Sequence, residues 1–234
     1  MDNRQVTVVI VTYNAADTLQ QCLDSIYLQQ STLIDIIVID GYSTDGTQNI
    51  IADNNEQIFF WISEADQGIY DAMNKAINHI RTPWVFFLGA DDTLLSEFSG
   101  LIPELQDPSK IYYANVIYKN AIHSGLVSPY YQAKSGIFHQ SILYPLVVFK
   151  KYKYNIKYKI AADYALNMVC YGDKDFSFQY LNYTIAKYND TGISSVEVDN
   201  AFEKDKSKLI FTNFGLKIWS RYFFRRLKAR FKKL

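Results

Sequence analysis

An α/β fold with a mostly parallel central sheet flanked by helices is what this sequence predicts, and two features of its first 90 residues carry the prediction. Four short runs, VTVVIVT (6–12), IDIIVID (34–40), IFFWIS (58–63) and WVFFLG (84–89), alternate with stretches of helical apolar spacing. The runs are β-branched, aromatic and apolar almost throughout, as strands covered on both faces are. Strands separated by helices in this way form βαβ units with right-handed crossovers.

Each element has its own local signal. After the first run, Leu19, Leu23, Ile26 and Gln30 recur at about one helical turn, with Cys22 on the same side. The second run ends in GYSTDGT, a turn followed by a helix start, where Asp45 reads as a capping residue. A helix from about Ile69 to Ile80 follows the third run, with Ile69, Met73, Ala76 or Ile77, and Ile80 facing inward; Met73 and Trp84 read as core residues. The second half is less regular. IYYANVIY (111–118) and the stretch from Phe176 to Ile185 are strand candidates, AADYALNMVC (161–170) is a short helix starting at or near Asp163, and the tyrosine-rich span 144–158 reads as loop and short helix. No internal repeat or low-complexity linker marks a boundary between separately folding domains.

The composition suits an ordered protein: 234 residues, 49% hydrophobic and 21% charged, enough to bury a sizeable core. Two distant cysteines in apolar helical patterns, Cys22 and Cys170, point to buried thiols in a reducing compartment and exclude a cysteine-built metal or iron–sulfur site. The net charge of zero hides an asymmetry. Residues 217–233 carry eight basic side chains and no acid, which leaves 16 basic against 24 acidic in residues 1–216. No run reaches the ~18 apolar residues of a membrane span, and the opening apolar stretch is short for a secretory signal, so the expected location is the cytoplasm.

Open α/β sheets bind ligands beyond the carboxyl ends of their strands. The sequence delivers acids to that edge: Asp40 after the second run, Glu64 and Asp66 after the third, Asp91 and Asp92 after the fourth, with Thr12, Tyr13 and Asn14 after the first. Clustered carboxylates raise one another's pKa unless a cation shares the site. A hard divalent ion, Mg²⁺ or Mn²⁺, bridging carboxylates to a diphosphate-bearing ligand would meet that need. Asp40 could accept hydrogen bonds from a ribose hydroxyl or a pyrimidine N–H. Neither GxGxxG after the first strand nor GxxxxGK[ST] occurs anywhere, which argues against Rossmann dehydrogenases and P-loop kinases.

Six stretches, VTVVIVTYNAADTLQQCLDSI (6–26), IIVIDGYSTDGT (36–47), SEADQGIYDAMNKAI (63–77), FLGADD (87–92), HQSIL (139–143) and KIAADYALNMVC (159–170), closely resemble the family 2 glycosyltransferases, in particular bacterial enzymes of surface-polysaccharide, including colanic-acid-type, synthesis. The resemblance covers roughly residues 5–200. It implies the GT-A fold as one domain over 1–200, with a nucleotide-sugar-binding half to about residue 100, an acceptor-binding half beyond it, and a C-terminal extension over 201–234. It also implies metal-dependent, inverting transfer from a nucleotide-diphosphate sugar, a UDP-sugar being favoured. Carried onto this chain, Thr12, Tyr13, Asn14, Asp40, Asp66 and Asp91 look like nucleotide-side contacts, Asp92 like the metal ligand, Asp163 like the catalytic base, and His139 and Gln140 like acceptor-side residues. Tyr42 departs from the small residue common in the family's DGxS turn.

Chemistry independently asks for the same parts. A single displacement at an anomeric carbon needs a carboxylate base and neutralisation of the leaving diphosphate. Asp163 could be that base or an N-cap, and His139 a buried histidine or an acceptor-side group. Two other readings compete: a sugar nucleotidyltransferase, which would want a cation near the first strand where only Arg4 is available, and a catalytically silent protein, either nucleotide-sugar-binding or a scaffold.

In LKIWSRYFFRRLKARFKKL (216–234), Leu216, Trp219, Phe223, Leu227, Phe231 and Leu234 share one helical side, largely opposite Lys217, Arg221, Arg225, Lys228 and Lys232. That is an interfacial amphipathic pattern. It is expected to hold the protein peripherally on the anionic inner face of the plasma membrane, near a lipid-linked glycan acceptor; docking on the protein's own body or on a second subunit is the alternative. Nucleic acid is not expected as a partner, because the acidic body would repel phosphates. The oligomeric state is open, a homo-oligomer included.

Overall fold

The computed structural model describes residues 4–29, 31–123, 125–189 and 198–231. The first half forms as the sequence predicts. β1 (Val6–Thr12), α1 (Leu19–Tyr27), β2 (Ile34–Asp40), α2 (Thr47–Asp53), β3 (Phe60–Ser63), α3 (Ile69–Ile77) and β4 (Trp84–Gly89) follow in order, and the strands pair in parallel in the order β3-β2-β1-β4. Gln30, expected at the end of α1, lies outside the described residues. β3 begins at Phe60, later than the predicted start, with Phe59 exposed beneath the Arg81 guanidinium, 3.6 Å from the ring centre.

Every residue of β1 and β2 is buried, and alternate side chains feed two cores, as the period of a strand requires. Val9, Val11, Ile37, Ile39, Val85 and Phe87 join one, with Met73 of α3. Val8, Ile10, Ile36, Val38, Phe86 and Leu88 join the other, with Leu19, Cys22 and Leu23 of α1. Both cysteines are buried free thiols. α3 corrects the sequence reading by one position: Tyr70 turns inward, whereas Ile69 is 43% exposed.

Beyond β4 the sheet changes character. The chain adds β5 (Thr93–Leu94), α4 (Glu97–Leu101), a 3₁₀ turn at Ile102–Glu104, β6 (Lys110–Tyr118), β7 (Ala121–His123), α5 (Pro129–Ser135), a 3₁₀ turn at His139–Ser141, β8 (Ile142–Pro145), α6 (Leu146–Lys151), α7 (Ala162–Gly172) and β9 (Ser177–Lys187). The order continues β4-β8-β6-β9-β5, and only the β6–β9 pair in this part is parallel. Lys119 and Asn120, both at positive φ, make the two-residue turn that returns β7 onto β6. The sheet is therefore mixed, parallel in its first half. The span 144–158 holds the end of β8, α6 and a loop, so its first residues are strand where only loop and short helix were expected.

The chain ends in α8 (Asn200–Phe231), which is not one rod. At Gly215, with φ 77° and ψ 174°, the backbone leaves the helix. That conformation is essentially reserved for glycine. The second arm folds back against the first: Trp219 Nε1 donates to Ser207 Oγ at 3.1 Å, and Arg226 lies 3.7 Å from Glu203. The hairpin also packs on the body, with Tyr222 buried and the Arg221 guanidinium 3.9 Å above the Tyr130 ring of α5. No helix among the described residues is long and apolar enough to cross a membrane.

Candidate active site

The carboxyl ends of β1, β2 and β4 make the edge that the acids were expected to line. Thr12 and Asp40 are in register there. Asp40 is fully buried; its Oδ2 accepts from the Ser43 N–H at 3.0 Å and the Ser63 hydroxyl at 2.6 Å, and its Oδ1 accepts from the Ser43 hydroxyl. A carboxylate so supplied with donors stays buried without a cation. The same Ser43 hydroxyl accepts from Asn14 N–H at 2.8 Å, and Asn14 Oδ1 accepts from Thr44 N–H at 3.0 Å, with Asn14 itself at φ 49°. The loop after β1 and the turn after β2 are thus sewn together. The Thr12 hydroxyl is buried beside them with no partner among the described residues.

Tyr13, 68% exposed, and Asp66 flank Gly41 at the rim. A methyl group at residue 41 would sit 2.7 Å from Asp66 Oδ2 and 3.4 Å from the Tyr13 ring, so glycine keeps this groove open. Asp66 in turn accepts from Gly68 N–H at 2.7 Å, at the start of α3. Asp45 accepts from Ala16 N–H, Thr47 N–H and the Thr47 hydroxyl, which hold its carboxyl below the usual range; it ties α2 to the loop before α1. Tyr42 is exposed at φ 67° on the outside of the turn.

The second group gathers around β4. Asp92 is buried, with Oδ2 accepting from Gln140 Nε2 at 2.9 Å and Gly89 N–H at 3.2 Å, and Oδ1 from Asn189 N–H at 2.8 Å. Asp91, beside it, is only half-buried. Burial raises the pKa of both; for Asp92 the Asn189 and Gln140 hydrogen bonds oppose the rise, and for both His139 does so as well. Gly89 leaves room for both carboxyls: a Cβ there would stand 2.6 Å from Asp92 Oδ2 and 2.9 Å from Asp91 Oδ1, so one of them would have to shift.

Asp163 lies in the first turn of α7 and not at its N-cap, which is Ala161. Its Oδ1 receives the Tyr70 hydroxyl at 2.6 Å, a proton shared with Ile160 O at 2.7 Å. Its Oδ2 faces His139 Nδ1 at 3.8 Å. Burial, then the adjacent Asp163 charge, pushes the Tyr70 phenol well above its usual range, so it remains a donor. His139 and Gln140 share one 3₁₀ turn, in which His139 faces Asp163 and Gln140 holds Asp92. Tyr70 escaped the sequence reading because apolar periodicity puts Ile69 on the inner face, and the signal that finds it is its hydroxyl partner, visible only in three dimensions.

Among the described residues no three His, Cys, Asp or Glu side chains converge as a ready cage for an ion. Arg4, the cation the sequence offers near the first strand, binds Thr32 O, Ile34 O and Asp35 around the start of β2, at the amino end of the sheet, where Arg81 also meets Asp35. That position removes the feature a nucleotidyltransferase would have needed.

The chain is 34% identical over 211 residues, 85% of its length and 82% of the relative's, to a PGL/p-HBAD biosynthesis glycosyltransferase of Mycobacterium bovis, and equally so to one of Mycobacterium tuberculosis. The fold is similar to that of S. aureus TarS 1–349 in complex with UDP-GlcNAc, with a TM-score of 0.73 at 16% identity over 94% of this chain and 71% of that one; the chain spans 43% of a longer TarS chain. It is also similar to the mannosyltransferase PcManGT of Pyrobaculum calidifontis in complex with GDP-Man and Mn²⁺, with a TM-score of 0.62 at 17% identity over 90% of this chain and 63% of that one. The profile of glycosyl transferase family 2 matches residues 7–169, from β1 through most of α7, and so takes in both carboxylate groups. The chain therefore belongs to glycosyl transferase family 2 and is a GT-A-fold glycosyltransferase that uses a nucleotide-activated sugar.

Proposed function

We propose that the protein catalyses inverting, metal-assisted transfer of a sugar from a nucleoside-diphosphate donor to a hydroxyl of a lipid-linked cell-envelope glycan. The observation that carries this reading is the setting of Asp163, with one oxygen fixed by Tyr70 and the other 3.8 Å from His139, whose 3₁₀ turn also carries the Gln140 that holds Asp92. The acceptor hydroxyl gives its proton to Asp163 Oδ2 as its oxygen bonds to the anomeric carbon. The bond from that carbon to the diphosphate breaks, and the nucleoside diphosphate leaves with the electron pair. Thr12, Tyr13, Asn14, Asp40 and Asp66 would frame the nucleoside, Asp40 acting from behind the Ser43 and Ser63 hydroxyls.

Asp91 and Asp92 fit a magnesium or manganese ion, which takes one or two carboxylates and completes its shell with substrate phosphates and water. Such an ion, when bound, would neutralise charge developing on the diphosphate. Asp92 already accepts three hydrogen bonds, whereas Asp91 is the more accessible, which supports both sharing the role first given to Asp92 alone. Titrating the protein calorimetrically with UDP, GDP and other nucleoside diphosphates, with Mn²⁺ and then with EDTA, tests the donor site. Metal-dependent binding of one nucleotide is expected; a folded protein that binds none would overturn the reading in favour of the silent scaffold.

The C-terminal arm supports attachment to an anionic membrane. Ile218 and Tyr222 are turned toward the protein, but Leu216, Phe223, Phe224 and Leu227 are 38–65% exposed beside Arg225 and Lys228. Phe231 and Leu234, expected on the same stripe, lie where no side chain is described. Exposed apolar groups flanked by cations suit an anionic interface, where each Lys or Arg contributes about 1 kcal/mol.

A further inference from the structure

The turn that carries Asp163 is anchored from outside its own helix. Ala161, the N-cap of α7, supplies no side-chain cap, so the entry into that helix needs another element to fix it. Two elements do so. From α3 the Tyr70 hydroxyl holds Ile160 O at 2.7 Å along with Asp163 Oδ1. From the far end of the chain Asp199, the residue before α8, takes the Ile160 N–H at 2.9 Å and the Ala161 N–H at 3.2 Å on its Oδ2. Its Oδ1 accepts from Phe202 N–H at 3.0 Å, and its backbone carbonyl from Glu203 N–H at 2.9 Å. One carboxylate thus caps α8 and grips the start of α7. Burial works against its charge, yet the Ile160, Phe202 and Ala161 N–H groups hold the Asp199 carboxyl below its usual range.

We propose that Asp199 is a positioning residue for the base, and that through it the C-terminal hairpin belongs to the catalytic unit. This rests on the reading of Asp163 as the base. Asp163 follows Ala161 by two residues, on the turn whose leading N–H groups Asp199 holds. Without that hold the first turn of α7 can fray or rotate, and its carboxyl moves relative to the Tyr70 hydroxyl and to the acceptor hydroxyl it must meet. Misplacing a reacting group by about 1 Å can cost on the order of 10² in rate. The family profile ends at residue 169, so Asp199 acts from beyond the shared motifs. Asp205 supplies the contrast. It ties the same loop to the same helix, but through side chains, the Lys157 Nζ at 2.6 Å and the Tyr158 hydroxyl at 2.9 Å.

Amide hydrogen exchange on the full chain tests the hold itself. The amides of Ile160, Ala161 and Ala165, the last bonded to Ala161 O at 3.0 Å, should exchange roughly tenfold faster in Asp199→Ala and at the native rate in Asp205→Asn. Turnover is read as nucleoside diphosphate released from UDP-GlcNAc, UDP-glucose or GDP-mannose, with water as the acceptor. Asp199→Ala should lower kcat by ~10–100-fold and leave the Kd for nucleoside diphosphate unchanged. Asp199→Asn, which caps a helix as well as aspartate does but offers one acceptor oxygen, should recover part of that loss. Native exchange at the three amides in Asp199→Ala, an equal fall in kcat for Asp205→Asn, or a fall in kcat matched by weaker nucleotide binding would overturn the proposal. Asp163→Asn in the same assay separates the two readings. Release that this substitution leaves intact removes the base itself, whereas release lost with Asp163→Asn and kept with Asp199→Ala removes only the positioning role.

Discussion

Asp163 is held by one edge and works with the other. Asp163→Asn keeps an oxygen for the Tyr70 hydroxyl but loses the base, so turnover should fall by ~10²–10⁴ while nucleoside-diphosphate affinity stays unchanged by calorimetry. Gly89→Ala should act on the donor side: its methyl group must displace Asp92 or Asp91, at a cost of ~1–3 kcal/mol and with loss of metal-dependent nucleotide binding. Acidity acts on the same pair with a definite sign. Burial raises both pKa values above 3.8, so the folded state takes up these protons more readily than the unfolded chain. The cost of burying the charges is present above the raised values and is relieved as pH falls through them. Nucleotide binding that needs both charges should therefore weaken on acidification at a pH still above 3.8, while protonation of this pair adds to thermal stability. Asp173 is the reverse: Lys151 and then Tyr152 hold it near about 2, and its stabilising contribution, full above 3.8, is lost as pH falls toward that value.

At the scale of elements, Gly215 decides the shape of the C-terminus. Nothing lies within 4 Å of a methyl group placed there, so Gly215→Ala meets no clash, only a backbone it cannot hold without ~1–3 kcal/mol of strain. The expected result is a straighter helix, read as a longer distance between spin labels at the exposed neighbouring positions 204 and 225, with the Glu203–Arg226 approach lost. This bend was not legible in the sequence, because the residues on both sides keep good helical composition. By contrast β1, β2 and β4 could be bounded closely, since each is an apolar run ended by a residue of different chemistry. α3 shows the limit of periodicity. Ile69 and Tyr70 are both apolar enough to lead a helix, and the choice fell to a hydroxyl whose partners, Ile160 and Asp163, lie 90 and 93 residues away. The second half was harder for the same reason: β8, β6 and β9 are ordered by long-range pairing that no local pattern states.

Over the whole molecule the charge is divided between an acidic body and a basic end, and that division was readable from counts alone. It predicts that the full chain floats with anionic vesicles and not with neutral ones, and that binding fades as salt is raised. Phe223→Ser with Phe224→Ser should weaken flotation without altering nucleotide binding; unchanged flotation would mean that these rings do not enter the bilayer. The carboxylate group around β4 was legible as a pair but not as an assembly, because its members are joined by residues from late in the chain. Asn189, which holds Asp92 Oδ1, comes 97 residues after it, and β5 finds its partner only in β9. During synthesis, then, the ribosome must deliver nearly the entire catalytic unit before the donor pocket acquires its final form. A nascent chain stalled near residue 150 should be cut readily by protease around Asp91 and should not retain nucleotide.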